Sequence, residues 1–313
     1  MSYKALRQLR IALSLLLFAA ITFLCVDYSG YGSRFLSVLV GWQLVPAALA
    51  FSVFVLVFWM FATVIFGRIY CSSICPMGTL QDIIARMNRR RTYRYRKPIE
   101  WLRSTVLAVM AVGIVCGIAG IPALLNPYSQ YARIAEEIIK PIYGWCHNGI
   151  LWIGNTSGLW EMPMVKIVVA SSLGLVIAIV TLLIVGILAW RGGRTFCNTI
   201  CPVGTALGIF SRNSIWHVEI DTDKCIHCGK CESACKASCI NPADSTVDTS
   251  RCVTCFNCMP VCPNDAITYT PRRKQLSIPM MQRITPDLSQ GITKAIESPT
   301  AQTATQPTNS KQK

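Results

Sequence analysis

Eight cysteines near the C-terminal end fall into two blocks of one spacing: Cys225-x2-Cys228-x2-Cys231-x3-Cys235 and Cys252-x2-Cys255-x2-Cys258-x3-Cys262-Pro263. The second block is the first displaced by 27 residues, and the flanks repeat with it. Ile220-Asp221 matches Val247-Asp248, and Cys239-Ile240 matches Ala266-Ile267. This is the arrangement in which four thiolates hold each of two [4Fe–4S] cubanes and the fourth Cys of each run crosses to the other cluster. Cys225, Cys228, Cys231 and Cys262 are then expected on one cluster, and Cys252, Cys255, Cys258 and Cys235 on the other. Zinc is the competing occupant, since Cys pairs also build zinc sites. Two such runs in tandem favour the cubanes, whose chemistry is single-electron transfer. The first run ends Cys235-Lys236 and lacks the proline, which shapes the turn but donates nothing to iron. Cys239, opposite Ala266, reads as a small buried residue, with ligation in place of Cys235 as the alternative.

Composition then separates two regions. The chain has 313 residues, 52% hydrophobic and only 14% charged, against roughly 25% charged in soluble proteins. Four apolar runs, Ile11–Asp27, Leu44–Phe66, Ser104–Leu125 and Ile167–Trp190, approach or exceed the ~20 residues that cross a bilayer. Phe35–Gln43 either extends the second run or lies in the interface. The net charge of +15 would suggest nucleic acid in a soluble chain. Here the basic residues flank the apolar runs: Lys4, Arg7 and Arg10 before the first, a cluster from Arg86 to Arg103 between the second and third, Arg191 and Arg194 after the fourth. The positive-inside rule puts both termini and the cysteine motifs on the cytoplasmic side of a bacterial inner membrane, with no nucleic-acid partner. That side is reducing, as cluster thiolates require. Leu9–Tyr28 is long enough to stay in the bilayer, so no cleavable leader is expected. Tyr131–Ile142 is expected to lie along the outer interface, with Trp145, Trp152 and Trp160 as an aromatic belt. The basic loop reads first as a topology anchor on anionic lipid and second as a dock for acidic redox proteins.

A second pair of cysteine motifs follows the second and fourth apolar runs. Gly67-Arg68-x2-Cys71-x3-Cys75-Pro76-x-Gly78-Thr79 recurs as Gly193-Arg194-x2-Cys197-x3-Cys201-Pro202-x-Gly204-Thr205. The membrane region is therefore two repeated hairpins, related by an axis along the membrane normal. Such an axis brings Cys71, Cys75, Cys197 and Cys201 together, enough thiolates for one more cluster or a tetrahedral metal. The alternatives are small cysteines that merely pack at helix ends, or a redox dithiol in each copy.

From roughly Leu9 to Thr270 these motifs resemble the NapH/NosR-type membrane ferredoxins. The resemblance implies a mainly α membrane protein with four transmembrane helices and a small cytoplasmic α+β ferredoxin-like domain holding two clusters. It also implies electron flow between the quinone pool, or a cytoplasmic donor, and a respiratory reductase or its maturation. Cupric-reductase assembly proteins of oxidase biogenesis share this core but usually carry an immunoglobulin-like domain, for which the tail here is too short and polar. The expected domains are 1–215 (membrane), 216–275 (two-cluster ferredoxin) and 276–313 (polar, disordered tail).

Histidine bounds the electron path. His147, His217 and His227 all lie outside the apolar runs, so axial ligands for intramembrane haem are missing. Electrons that cross need a diffusing quinone or another subunit. Nothing in the sequence marks a pocket for covalent substrate chemistry. The expected function is membrane-anchored electron transfer. The rivals are a cupric reductase using the four Cys-x3-Cys thiolates, which suit Cu(I), and a redox-sensing or maturation factor.

Overall fold

Uninterrupted apolar sequence builds the two longest helices, α1 (Tyr3–Val26) and α10 (Ser172–Gly192). Among the described residues these two are long and apolar enough to cross a membrane by themselves. The computed structural model describes residues 3–28, 30, 32, 38–49, 52–88, 92–118, 120–157, 164–167 and 171–271. The expected polar tail and Trp160 lie outside them.

The other two expected spans are broken. Leu44–Phe66 divides into α2 (Leu44–Leu49) and α3 (Val53–Phe66). Segment 42–49 folds back along α3, where Trp59 Nε1 donates to the Trp42 carbonyl at 2.9 Å. Ser104–Leu125 divides into α6 (Glu100–Val115) and α7 (Gly120–Leu125). Gly117 turns the chain at φ +68°, a backbone region that glycine enters freely. The return puts Ile121 against Gly113, where a Cβ would meet Ile121 at 2.8 Å. An apolar run measures hydrophobicity and not straightness, so it overstated both spans.

Tyr131–Ile142 also departs from expectation. Segments α8 (Pro127–Ile134), a π-helical turn (Ala135–Ile139) and α9 (Lys140–Thr156) form one continuous rod. Pro141 lacks the N–H that would continue a regular ladder just after the π turn. Tyr131, Ile134 and Ala135 are buried in the core, where this rod packs on α1, α10 and α5 (Pro76–Met87). It is a core element and not an interfacial helix, although Trp145 and Trp152 are exposed farther along it. Cys25 is buried, while Cys116 is exposed at the end of α6.

The internal repeat is visible in the packing. Short helices α4 (Ile69–Ser73) and α11 (Thr195–Thr199) each carry the first Cys of a pair. Helices α5 and α12 (Pro202–Ser211) start on the proline after the second. Helix α5 packs on α1 and α10, and its counterpart α12 packs on α6 and α3. Each copy thus inserts its post-cysteine helix against the long helix of the other.

The C-terminal cysteine blocks lie among short elements. Strand β1 (Trp216–Ile220) pairs with β4 (Ile267–Pro271). Strands β2 (Ile240–Asn241) and β3 (Thr246–Val247) pair antiparallel, Ile240 opposite Val247. Tyr269 Oη donates to the Phe66 carbonyl at 3.0 Å and Arg194 N donates to the Lys236 carbonyl at 2.9 Å, so this region sits directly on the helices.

One carboxylate ties these parts together. Asp82 on α5 takes two hydrogen bonds of 2.9 Å from Arg194 Nε and Nη2. Arg10 of α1 adds a contact at 3.3 Å and Lys236 of the cysteine-rich region one at 3.6 Å. Burial pushes the Asp82 carboxyl up, but Arg194, Lys236 and Arg10 outweigh it and hold the group well below the usual carboxylate range. Its contribution is therefore complete above about pH 4, the unfolded carboxylate value, and is lost as pH falls through the lower folded value. Asp82→Asn leaves Arg194 buried without a counter-charge, a loss of about 3–5 kcal/mol. Thermal unfolding in detergent at pH 7 should show a large drop in Tm, and the gap from wild type should narrow as the pH is taken down towards the folded value.

Candidate functional site

Cys71, Cys75, Cys197 and Cys201 are all buried in this core. They lie close enough that ionising Cys201 is opposed by Cys197, Cys75 and Cys71 together. Cys75 and Cys201 occupy matching N-cap positions of α5 and α12, with φ/ψ of −67°/117° and −71°/117°. Proline at the first helical turn suits this conformation, since its missing N–H is not needed there. At the second copy a backbone N–H of the new helix points at the sulfur: Gly204 N donates to Cys201 Sγ at 3.4 Å. Gln81 Nε2 donates to Cys197 Sγ at 3.2 Å.

The motif arginines cross between copies. Arg194 Nη1 donates to the Cys71 carbonyl at 2.6 Å, and Arg68 Nη2 donates to the Cys197 carbonyl at 3.3 Å. Arg68 Nη2 also stands 3.8 Å from Cys71 Sγ. Arg68 is 0% and Arg194 1% exposed. Only Arg194 has a carboxylate; among the described residues Arg68 has oxygen partners in Asn198 and the Ser250 carbonyl but no ion pair, and its Nε is unsatisfied. Burial pushes the thiols of Cys75 and Cys201 up and that of Cys197 to about 11. Bare thiolates are thus disfavoured unless something cationic binds them. Among the described residues no three His, Cys, Asp or Glu side chains converge tightly enough for one metal ion. A tetrahedral ion needs its sulfurs within ~2.3 Å of a single centre, whereas the ligands of a cubane bond to separate irons and stand apart.

The C-terminal cysteines line two cavities. Cys225, Cys228, Cys231 and Cys262 line one. Cys252, Cys255, Cys258 and Cys235 line the other, with Cys239 as a fifth thiol. Cys235 of the first run thus borders the cavity of the second run, and Cys262 of the second run borders that of the first. The 27-residue repeat extends to backbone conformation. His227 and Thr254 share φ 51°, Gly229 and Phe256 have φ 69° and 59°, and Ser238 and Asp265 have φ 51° and 48°. Left-handed residues next to right-handed ones turn successive N–H groups inward, the nest geometry of many Fe–S sites. Donor set and backbone both fit a cubane in each cavity. Cys239 Sγ is 3.5 Å from Cys235 Sγ. This contact and backbone N–H groups pull the Cys235 thiol down against its burial, whereas contacts with Cys235 and Cys252 and burial all push the Cys239 thiol up. Ala266 N donates to Cys262 Sγ at 3.3 Å, from the position that Cys239 occupies in the first run.

The sequence singled out the cysteines but not the groups around them. Asp82 and Gln81 carried no signal. Arg68, Arg194, Gly78 and Gly204 did, as flanks repeated at fixed offsets, and the structure supplies the reason. A Cβ on Gly78 would run into the Cys71 carbonyl oxygen, and one on Gly204 into the Cys197 carbonyl oxygen and Arg68 Nη2. Gly78→Ala and Gly204→Ala should each lower stability by about 1–3 kcal/mol through overpacking. Gly186→Ala, which meets nothing within 4 Å, should leave it unchanged or slightly raised; chemical denaturation of the three variants checks this.

Comparison with known proteins agrees with this geometry. A family model described as a 4Fe-4S binding domain matches residues 46–94 and 173–219, the two Cys-x3-Cys segments. Two further 4Fe-4S binding domain models match 216–237 and 245–268. The putative electron transport protein YccM of Escherichia coli is 24% identical over 61% of this chain and 47% of its own length. The methylamine utilization ferredoxin-type protein MauN of Paracoccus denitrificans is 24% identical over 64% of this chain and 58% of its own. The ferredoxin-type protein NapH of Haemophilus influenzae is 24% identical over 56% and 50%. The chain thus spans about half the length of these curated relatives. No solved structure matches. With cysteine-lined cavities in its C-terminal region and 4Fe-4S binding domain models matching four of its segments, the chain is similar to the ferredoxin-type proteins NapH and MauN and to the putative electron transport protein YccM.

Proposed function

We propose that this protein is a membrane-anchored electron carrier with three iron–sulfur centres in series. Cys225, Cys228, Cys231 and Cys262 hold the outer cluster. Cys252, Cys255, Cys258 and Cys235 hold the middle one. Cys71, Cys75, Cys197 and Cys201 hold a third, set in the helical region. When bound, these clusters supply one-electron chemistry, and the chain fixes their spacing and tunes their potentials through burial and N–H···S contacts. Both termini and the cysteine-rich region face the cytoplasm of a bacterial inner membrane, by the charge distribution around the apolar helices. The partners are a quinone or a cytoplasmic donor on one side and a respiratory reductase on the other.

Arg68 is the observation that carries this reading. A fully buried guanidinium with no carboxylate partner among the described residues carries a penalty of several kcal/mol, and Arg68 stands 3.8 Å from Cys71 Sγ and donates to the Cys197 carbonyl. A cluster with four thiolate ligands supplies net negative charge at that place. Neutral thiols that merely pack would leave Arg68 and its neighbours uncompensated. The same arginines link the third centre to the middle one. Arg68 Nη1 donates to the Ser250 carbonyl at 3.0 Å, two residues before Cys252. Arg194 N bonds the carbonyl of Lys236, the residue after Cys235. A short protein-only path therefore joins the two sites.

Anaerobically purified protein should hold about twelve irons and twelve sulfides, four per cubane. Cys71→Ser with Cys75→Ser should bring this to about eight and leave the remaining paramagnetic signals intact. A wild-type value of eight with all four thiols free to alkylate refutes the third centre. Zinc alone after reconstitution refutes the carrier. Within the middle site, Cys235→Ala should remove one cluster signal and Cys239→Ala should remove none, because the Cys239 position matches Ala266 in the repeat.

A further inference from the structure

The two copies differ at one charged position. In the first, Asp82 sits between Arg10 of α1 and Arg194. In the second, the residue at the matching offset is Gly208. It lies beside Arg103 of α6, whose Nη2 would be 2.9 Å from a Cβ at that place. The second copy therefore keeps its arginines, Arg68 and Arg103, and lacks the carboxylate. No side chain can enter from Gly208, because the same Cβ would stand 2.6 Å from the Ser250 carbonyl. Arg103 is only 8% exposed, its guanidinium makes no hydrogen bond or ion pair among the described residues, and its Nε is enclosed without a partner. The nearby carboxylate of Asp248 is held by Arg251 Nε at 2.6 Å and by Ser250.

A cavity of about 380 Å³ opens beside this arginine, between α6 and α12. Arg103, Ser104 and Arg212 line one part of it and the exposed Glu100 also borders it, leaving one net positive charge. Leu107, Ala111 and Ile209 line the rest. Positions 104, 107, 108 and 111 share one face of α6, so the apolar groove runs about 10 Å along that helix from the charged end. A small hydrated anion would satisfy Arg103 but leave the groove unused.

We propose that this cavity binds an anionic phospholipid, its phosphate on Arg103 and an acyl chain along Leu107, Ala111 and Ile209. The lipid phosphate takes the place that Asp82 fills in the first copy. The proposal rests on the membrane reading above and goes beyond it, since anionic lipid is concentrated on the cytoplasmic leaflet where the charged end would lie. Bound lipid would neutralise the surplus charge under the Ser250–Cys252 segment.

The test uses the full chain in neutral detergent, with short-chain phosphatidylglycerol, short-chain phosphatidylcholine and inorganic phosphate as probes. Native mass spectrometry should retain one phosphatidylglycerol per chain, and this lipid alone should raise Tm. Arg103→Gln should weaken its binding at least about tenfold, the loss of one charge-assisted hydrogen bond. It should also raise the Tm of lipid-free protein, because an unpaired buried charge is gone. Arg103→Lys should keep most binding. Ala111→Trp, which fills the groove, should abolish lipid binding with Arg103 untouched. Equal binding of phosphatidylcholine, the same Tm gain from phosphate alone, or a lower lipid-free Tm in Arg103→Gln overturns the proposal. Failure of the full chain to sediment with vesicles of any composition would instead count against the membrane reading.

Discussion

Two guanidinium groups that exchange places between the halves of a repeat organise this molecule. Arg68 reaches the Cys197 carbonyl and Arg194 the Cys71 carbonyl. Charges buried this completely are tolerated only where they are compensated. For Arg194 the compensation is internal, through the Asp82 carboxylate, which it shares with Arg10 and Lys236. For Arg68 there is no carboxylate partner among the described residues, and it faces Cys71 Sγ and the Cys197 carbonyl. The glycines at the starts of α5 and α12 exist because the crossing brings a cysteine carbonyl against each helix. Proline, glycine, arginine and cysteine in the repeated phrase are thus one device: the prolines and glycines admit the close approach, the arginines cross it, and the cysteines are buried beside it.

The device also joins regions that differ in composition. Lys236 reaches Asp82, the Ser250 carbonyl takes Arg68 and Asn198 donates to the Ala237 carbonyl at 2.9 Å. The middle cysteine site is therefore clamped to the helical core from both of its cysteine runs, while the outer site is held from the 93–95 loop, where Tyr93 N donates to the Ser233 carbonyl at 3.2 Å and Tyr95 N to Glu232 Oε1 at 2.6 Å. In an electron carrier this order is useful: the fixed pair sets an internal transfer step, and the outer site is left for exchange with a partner.

Legibility in the sequence followed the kind of physics involved. Cysteine spacing is local and chemically constrained, so a ligand set for each cluster, Cys235 and Cys262 included, can be named from sequence alone. The repeated Cys-x3-Cys phrase likewise singles out Cys71, Cys75, Cys197 and Cys201, all four of which are buried. Hydropathy was less informative, because a run of apolar residues does not say where it bends. Gly117 and the return of α7 on α6 divided one expected span, and the fold-back of α2 on α3 divided another. Tyr131 looked interfacial because its neighbours alternate in polarity, yet tertiary packing buried it. Asp82 was silent in the sequence, since one acidic residue on a short helix has no pattern until its three cations are brought round it.

The most direct measurement is the midpoint potential of the third centre in Arg68→Gln, by redox titration followed with paramagnetic resonance. Removing a buried positive charge disfavours the reduced, more negative state. The account predicts a lower potential for the centre held by Cys71, Cys75, Cys197 and Cys201, a smaller fall for the middle cluster and no change in the outer one. An unchanged potential at the third centre, or a fall largest at the outer cluster, would contradict it.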